Sequence, residues 1–145
     1  MTAAAYLDTS ALAKWYLNEP NSDTFEAFVR ALPGAAISRL TTLEFRCLLT
    51  RRRRVGDITS AIERRVFSSF ENDIRAGFLD VHPLEDHHVV AAAEVVNRLS
   101  RHALRSLDAL HLAIAMELKA GTLATADRIM ADTAAALGFK VARFN

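Results

Sequence analysis

Cysteine is almost missing from this chain. Cys47 stands alone in 145 residues, so no internal disulfide can staple the fold. It lies in the apolar stretch LEFRCLL and reads as a small buried hydrophobe rather than a reactive thiol. Glycine and proline are scarce, at 5 and 3, which excludes a low-complexity chain and argues for an ordered globular one. No uninterrupted apolar run reaches the ~18 residues that a membrane span requires. The opening MTAAAYLD has neither a positive n-region nor a long apolar core, so no signal peptide is visible. A reducing cytoplasm is therefore the expected compartment, with no membrane partner. Also lacking are CxxC, HExxH, Walker and GxGxxG patterns, which removes the common zinc and nucleotide sites.

What is present is an arginine-rich chain with little net charge. The formal balance is +1, and of 18 basic residues only Lys14, Lys119 and Lys140 are lysines. Arg51 to Arg54 form an unbroken run, and Arg64, Arg65, Arg98, Arg101 and Arg105 add to it. Guanidinium groups suit bidentate contacts to phosphate or carboxylate. The run reads either as a solvated helix end or as a contact for a phosphate backbone or acidic partner.

The length suits one domain, residues 1–145, able to bury about two-thirds of its unfolded surface. Short apolar segments alternate with helical patterns. Strands are expected at about Ala3 to Leu7, Ala35 to Ser38, Phe78 to His82, Leu123-Ala124 and KVARF. Helices are expected over ALAKWYLN, over DTFEAFVRAL behind an Asn21 or Ser22 cap, and over about 42–54, 58–76, 86–101, 107–120 and 128–137. This alternation predicts an α/β fold whose parallel sheet is covered on both faces. Ligands of such sheets bind beyond the carboxyl ends of the strands, at the topological switch point.

Four acids fall at those junctions. Asp8 closes the strand of AYLDTS, Glu44 follows the second strand, Asp127 follows the fourth in TLATAD, and Asp108 opens the apolar helix SLDALHLAIAMEL. Each has an ordinary alternative. Asp8 and Asp127 can cap the helices that follow them, and Thr41-x-x-Glu44 has the form of a capping box. Asp108 can complement the dipole of a helix capped by Ser106, although apolar neighbours on every side make a lone carboxylate costly there. Taken together the four would repel one another strongly. A hard divalent cation, Mg²⁺ or Mn²⁺, resolves that repulsion and suits phosphodiester cleavage. His111 reads as a residue supporting the site from behind or as a core histidine, and His87-His88 as exposed and too closely spaced to share a metal. Ser10 and Thr125 can orient Asp8 and Asp127, or cap. Asp23, Asp57, Asp86 and Asp132 read as helix-start or surface acids.

With these segments in view, the chain resembles the PIN-domain ribonucleases, and more narrowly the VapC-type toxins of bacterial toxin–antitoxin pairs. YLDTSALAKWY, TTLEFRCLL, SLDALHLAIA and LATADRIMADTAAALGFKV look like the family's four blocks in order. The resemblance implies a three-layer α/β/α sandwich and assigns Asp8, Glu44, Asp108 and Asp127 to an acidic Mg²⁺/Mn²⁺ site, with Asp127 acting directly or through water. It further implies hydrolysis of structured RNA (tRNA or ribosomal RNA) to a 3′-hydroxyl and a 5′-phosphate, inhibiting translation and growth. A cognate antitoxin and a homodimer are the partners it implies.

Rival readings are weaker. A dehalogenase-type phosphatase needs a second acid two residues after the first, where this chain has Ser10. A phospho-receiver needs an acidic pair at the first strand, and AYLDTS has none. The remaining rival is a PIN-like module that binds protein or RNA without cutting. Four unneutralised carboxylates disfavour it as an RNA binder.

Overall fold

In the computed structural model residues 5–145 are described, so Ala3 and Ala4 of the expected first strand lie outside them. Twelve elements follow in the order β1 (Ala5–Leu7), α1 (Thr9–Tyr16), α2 (Ser22–Arg30), β2 (Ala35–Ser38), α3 (Arg39–Arg54), α4 (Ser60–Arg75), β3 (Leu79–His82), α5 (Asp86–Arg98), α6 (Ser106–Glu117), β4 (Thr122–Thr125), α7 (Arg128–Ala136) and β5 (Lys140–Arg143). Every expected element is present, with ends moved by a few residues. Gly77 and Gly138, at φ +82° and +96°, take the left-handed turns that end α4 and α7 ahead of β3 and β5.

All five strands are parallel, in the order β3-β2-β1-β4-β5. The chain runs outward from β1 through β2 to β3, then returns across the sheet to β4 and β5. Parallel neighbours need crossovers of one hand, so the two directions of travel put their helices on opposite faces. Side-chain alternation along the strands records this. Leu7, Ile37 and Ala124 join Phe25, Phe45, Leu49 and Phe70 under α1–α4. Tyr6, Ala36 and Leu123 join Val95, Leu112, Ile114 and Met130 under α5–α7. The result is the three-layer α/β/α sandwich, and no helix among the described residues is long and apolar enough to cross a membrane.

Several local expectations need correction. The N-cap of α3 is Ser38, whose backbone N–H donates to Thr41 Oγ1 at 3.1 Å, so Thr41 completes the turn and Glu44 takes no part in it. At α6 the N-cap position belongs to Arg105, and Ser106 is the first helical residue, so Ser106 is not the cap. Asn21 precedes α2 at φ +69° without capping it, and its Nδ2 donates instead to the Phe144 carbonyl at 3.1 Å. Cys47 is exposed, not buried. On α3 the core positions are Phe45 and Leu49, four apart, and residue 47 faces away from both. The helix α6 is buried through its middle, yet Leu107 and Met116 at its ends are 44% and 37% exposed.

Candidate functional site

The switch point of the sheet lies between β1 and β4, whose carboxyl ends are stitched together by Asp8. Its backbone N–H donates to the Ala124 carbonyl at 3.1 Å. Oδ1 accepts from Ala11 N at 2.9 Å and Ser10 Oγ at 2.7 Å, while Oδ2 accepts from Thr125 Oγ1 at 2.5 Å. Ser10 Oγ in turn accepts from Ala126 N at 2.9 Å, and Thr125 Oγ1 accepts from Asp127 N at 3.0 Å. Asp8 thus both caps α1 and faces the crevice. Asp127 divides its oxygens in the same way. Oδ1 caps α7 through Ile129 N and Met130 N at 2.8 and 3.2 Å, and Oδ2 lies 3.6 Å from Arg105 Nη2.

Glu44 reaches the crevice from α3 and Asp108 from α6. Glu44 Oε1 accepts from Thr9 Oγ1 at 2.7 Å and pairs with His111 Nε2 at 2.5 Å. The other ring nitrogen of His111 is 2.7 Å from the Tyr6 hydroxyl, which contacts Ser38 Oγ at 2.9 Å. His111 and Tyr6 are buried, so this chain of contacts runs from the core beneath the sheet to the edge of the crevice. Asp108 Oδ2 lies 3.5 Å from Arg105 Nε. All four acids line one cleft of about 650 Å³, with Leu43, Cys47, Arg51, Arg105 and Leu107 on its walls.

The structure therefore brings together every acid singled out in the sequence, and it adds residues that sequence reasoning passed over. Thr9 sits inside the quoted motif YLDTS and holds Glu44. Arg105 reads in the sequence as one more basic residue, although its place three positions before Asp108 is the helical spacing for an ion pair. The RRRR run divides its labour: Arg52 pairs with Glu19, Arg53 with Glu63 at 2.6 Å, and Arg51 lines the cleft.

Electrostatics inside the cleft are unbalanced. Burial raises the Asp8 carboxyl above its usual range, against the hydrogen bonds of Thr125, Ala11 and Ser10. Burial also raises Asp108; Arg105 opposes this and the neighbouring charge of Asp127 adds to it. Burial pushes Glu44 upward too, but the hydrogen bond and charge of His111, with help from Thr9 and Arg105, outweigh it and leave that carboxyl lowered. Four carboxylates share a cleft with one histidine and two arginines, and of the arginines only Arg105 comes within 4 Å of any of them, so the site is short of positive charge. That donor set fits a hard divalent cation with oxygen preference.

A second cluster lies on the outer helices. Nitrogens of His87 and His88 and a carboxylate oxygen of Glu117 lie within 4.8 Å of one another. His88 is buried, contrary to the expectation of exposure, and Glu117 contacts both imidazoles. The Glu85 N–H donates to His88 Nδ1 at 3.0 Å, so the proton of the neutral ring sits on Nε2, facing Glu117. A metal on Nε2 would have to displace that proton and break the cap of α5, so the donors present suit a hydrogen-bonded latch between α5 and α6.

With this geometry described, comparison with known proteins becomes informative. The family model for the PIN domain matches residues 5–136. Ribonuclease VapC46 of Mycobacterium tuberculosis is 33% identical over 142 residues, covering 96% of each chain. Among solved structures, VapC20 of Mycobacterium tuberculosis, described as a sarcin-ricin loop cleaving toxin, superposes with a TM-score of 0.70 at 19% identity, over 93% of this chain and 95% of that one. VapBC-5 of the same organism, a member of the VapBC family of toxin–antitoxin systems, does so at 0.60 with 20% identity over 98% of each. The last two establish likeness of fold, and the first carries it into sequence. Matched along nearly its whole length by the PIN-domain model and by Ribonuclease VapC46, the chain belongs to the PIN-domain family as a VapC-type member.

Proposed function

We propose that the whole chain, residues 1–145, acts as one endoribonuclease domain, the toxin of a toxin–antitoxin pair, which cleaves structured RNA with Mg²⁺ or Mn²⁺. The observation that carries this reading is the convergence of four carboxylates from four different segments on one cleft that Arg51 and Arg105 also line. Asp8, Asp108 and Glu44 are the main candidate ligands, and Asp127 completes the set directly or through water. When bound, the cation would activate water and neutralise the charge that develops at phosphorus.

The chain's own residues prepare that site. Thr125 and Ser10 hold the Asp8 carboxylate from both sides. Thr9 and His111 occupy Glu44 Oε1, which leaves Oε2 for the cleft. The arginines attract the polyanion and set its register. Hydrolysis by this route leaves a 3′-hydroxyl and a 5′-phosphate. Loops of tRNA or ribosomal RNA suit a cleft of this size, because unpaired bases can be splayed from the helix, and cutting them would arrest translation and growth.

The relatives support an antitoxin as the protein partner. Leu43 and Leu107, 63% and 44% exposed beside the acids, offer apolar surface for its docking segment. A homodimer and a cytoplasmic location complete the reading. The test is cleavage of RNA by purified protein freed from any antitoxin, with ends mapped by sequencing. Cutting is expected with Mn²⁺ or Mg²⁺, with 5′-phosphate products, and persistence of cutting in EDTA would overturn the metal assignment.

A further inference from the structure

Arg105 holds an unusual position among the arginines of this chain. Its carbonyl starts α6, accepting from Ala109 N at 3.0 Å, so the backbone is fixed while the side chain is 78% exposed. From there one guanidinium lies near two of the four acids from different elements, at 3.5 Å from Asp108 Oδ2 and 3.6 Å from Asp127 Oδ2. Its charge also reaches Glu44. Neither contact is at the 2.7–2.9 Å typical of a tight charge-assisted hydrogen bond. Arg46 and Arg53, by contrast, grip Glu63 at 2.6 Å each. Arg105 is thus close enough to offset the crowded carboxylates and too loosely held to be locked there.

Resting on the nuclease reading, we propose that Arg105 is an internal counter-ion that a divalent cation displaces from Asp108 and Asp127, and that the released guanidinium then holds a phosphate of the RNA beside the acids. The argument is one of competition. The oxygens that Arg105 approaches are the ones a cation would take, and two positive groups cannot share them without repulsion. A divalent ion in direct coordination outbids a solvent-exposed guanidinium held only by loose contacts. Once freed, the planar fork sits at the mouth of the cleft, where it matches a phosphate better than an ammonium would.

Substitution of Arg105 should therefore move two affinities in opposite directions, and the loss of RNA affinity should depend on whether a cation fills the acids, which mere loss of a surface charge would not require. Mn²⁺ binding is read from the electron paramagnetic resonance signal of the free ion, and RNA binding from the anisotropy of a fluorescein-labelled hairpin, with saturating Ca²⁺ or in EDTA. Arg105→Ala should bind Mn²⁺ about threefold to fivefold more tightly than wild type. It should bind the hairpin about fivefold more weakly with Ca²⁺ and show a clearly smaller loss in EDTA, where the wild-type arginine is occupied by the acids. Arg105→Lys should fall between the two. Mn²⁺ affinity that is unchanged or weaker in Arg105→Ala overturns the proposal, as does an equal loss of RNA affinity with and without Ca²⁺. Asp108→Asn separates the two readings. If it abolishes Mn²⁺ binding while Arg105→Ala leaves it unchanged, the exchange fails and the metal site stands. If it leaves Mn²⁺ binding intact, both fail.

Discussion

Glu63 on α4 and Asp108 on α6 are both helical carboxylates largely withdrawn from water, yet their surroundings differ in kind. Glu63 is 6% exposed, with Arg53 Nε on one oxygen and Arg46 Nη2 on the other, each at 2.6 Å, and Thr50 at 3.2 Å. Burial raises its carboxyl, and the two arginines with Thr50 more than reverse this, so it ends lowered. Asp108 has one loose arginine and a like-charged neighbour, and it ends raised. The first arrangement is neutralised: each carboxylate oxygen is held by a guanidinium, so the charge is already matched. The second leaves charge unbalanced at a place open to solvent, a combination that clusters at functional sites. What separates the two environments is positive charge: two guanidiniums match Glu63, while the cleft acids are held largely by neutral donors.

The largest expected effect comes from breaking the open side of this comparison. Asp8→Asn and Asp108→Asn should each lower RNA cleavage about a hundredfold or more, measured as initial rate on a labelled RNA with Mn²⁺. Neither should unfold the protein. Asparagine keeps an oxygen for Ala11 N at residue 8, and at residue 108 it relieves the repulsion from Asp127. A melting temperature for Asp108→Asn at or above the wild-type value in metal-free buffer is therefore expected.

A smaller loss should follow at His111, which connects the two kinds of environment, being buried yet in contact with Glu44. His111→Leu leaves the Tyr6 hydroxyl and Glu44 Oε1 each short of a partner, at a cost of about 1–3 kcal/mol in unfolding free energy. Cleavage should fall as well, because Glu44 loses the group that orients it, while Mn²⁺ affinity should fall less than in Asp108→Asn. His111→Gln, which can still donate near Glu44, should recover part of both. Smaller again is Glu63→Gln, which should lower the melting temperature by several degrees through Arg46 and Arg53 and leave Mn²⁺ affinity untouched. If it weakened Mn²⁺ binding as much as Asp108→Asn, the two carboxylate environments would not be separable.

The order of elements was legible because short apolar segments bounded by Gly, Pro and polar turns alternate with helical patterns, and the strand-end acids followed from that order. The capping expected of Asp8 and Asp127 is observed, and both acids line the cleft as well, so capping does not remove either of them from it. Other features depended on distance in the chain. Nothing near Arg52 or Arg53 points to Glu19 or Glu63, because those pairs exist only once α3 has packed on its neighbours. The apolar neighbours of Cys47 suggest burial, but the helical period, with Phe45 and Leu49 inward, places it outward. His88 had a similar local signal, since His88, Ala92 and Val95 form one inward stripe on α5. Thr9 matters through geometry alone, whereas Arg105 leaves a local signal in standing three residues before Asp108.

The subtlest contrast between the two environments is their opposite dependence on pH. Asp108 has an ordinary value of 3.8 and a raised one in the fold, so the folded state holds its proton more tightly than the unfolded chain does. Its contribution to stability is full below 3.8 and is lost as pH rises through the raised value. Asp8, raised by burial, acts in the same direction. Glu63 has an ordinary value of 4.5 and a lowered one, so its contribution is full above 4.5 and is lost as pH falls through the folded value. Melting curves in metal-free buffer should therefore show Asp108→Asn matching wild type near about pH 3 and exceeding it progressively toward neutrality. Glu63→Gln should match wild type only in strong acid and fall below it as pH rises. Added Mg²⁺ should then act selectively at neutral pH, raising wild type and Glu63→Gln alike through binding to the folded state and leaving Asp108→Asn behind. Parallel difference curves for the two variants would mean that the cleft carries no excess of negative charge, and the case for a cation there would lose its physical basis.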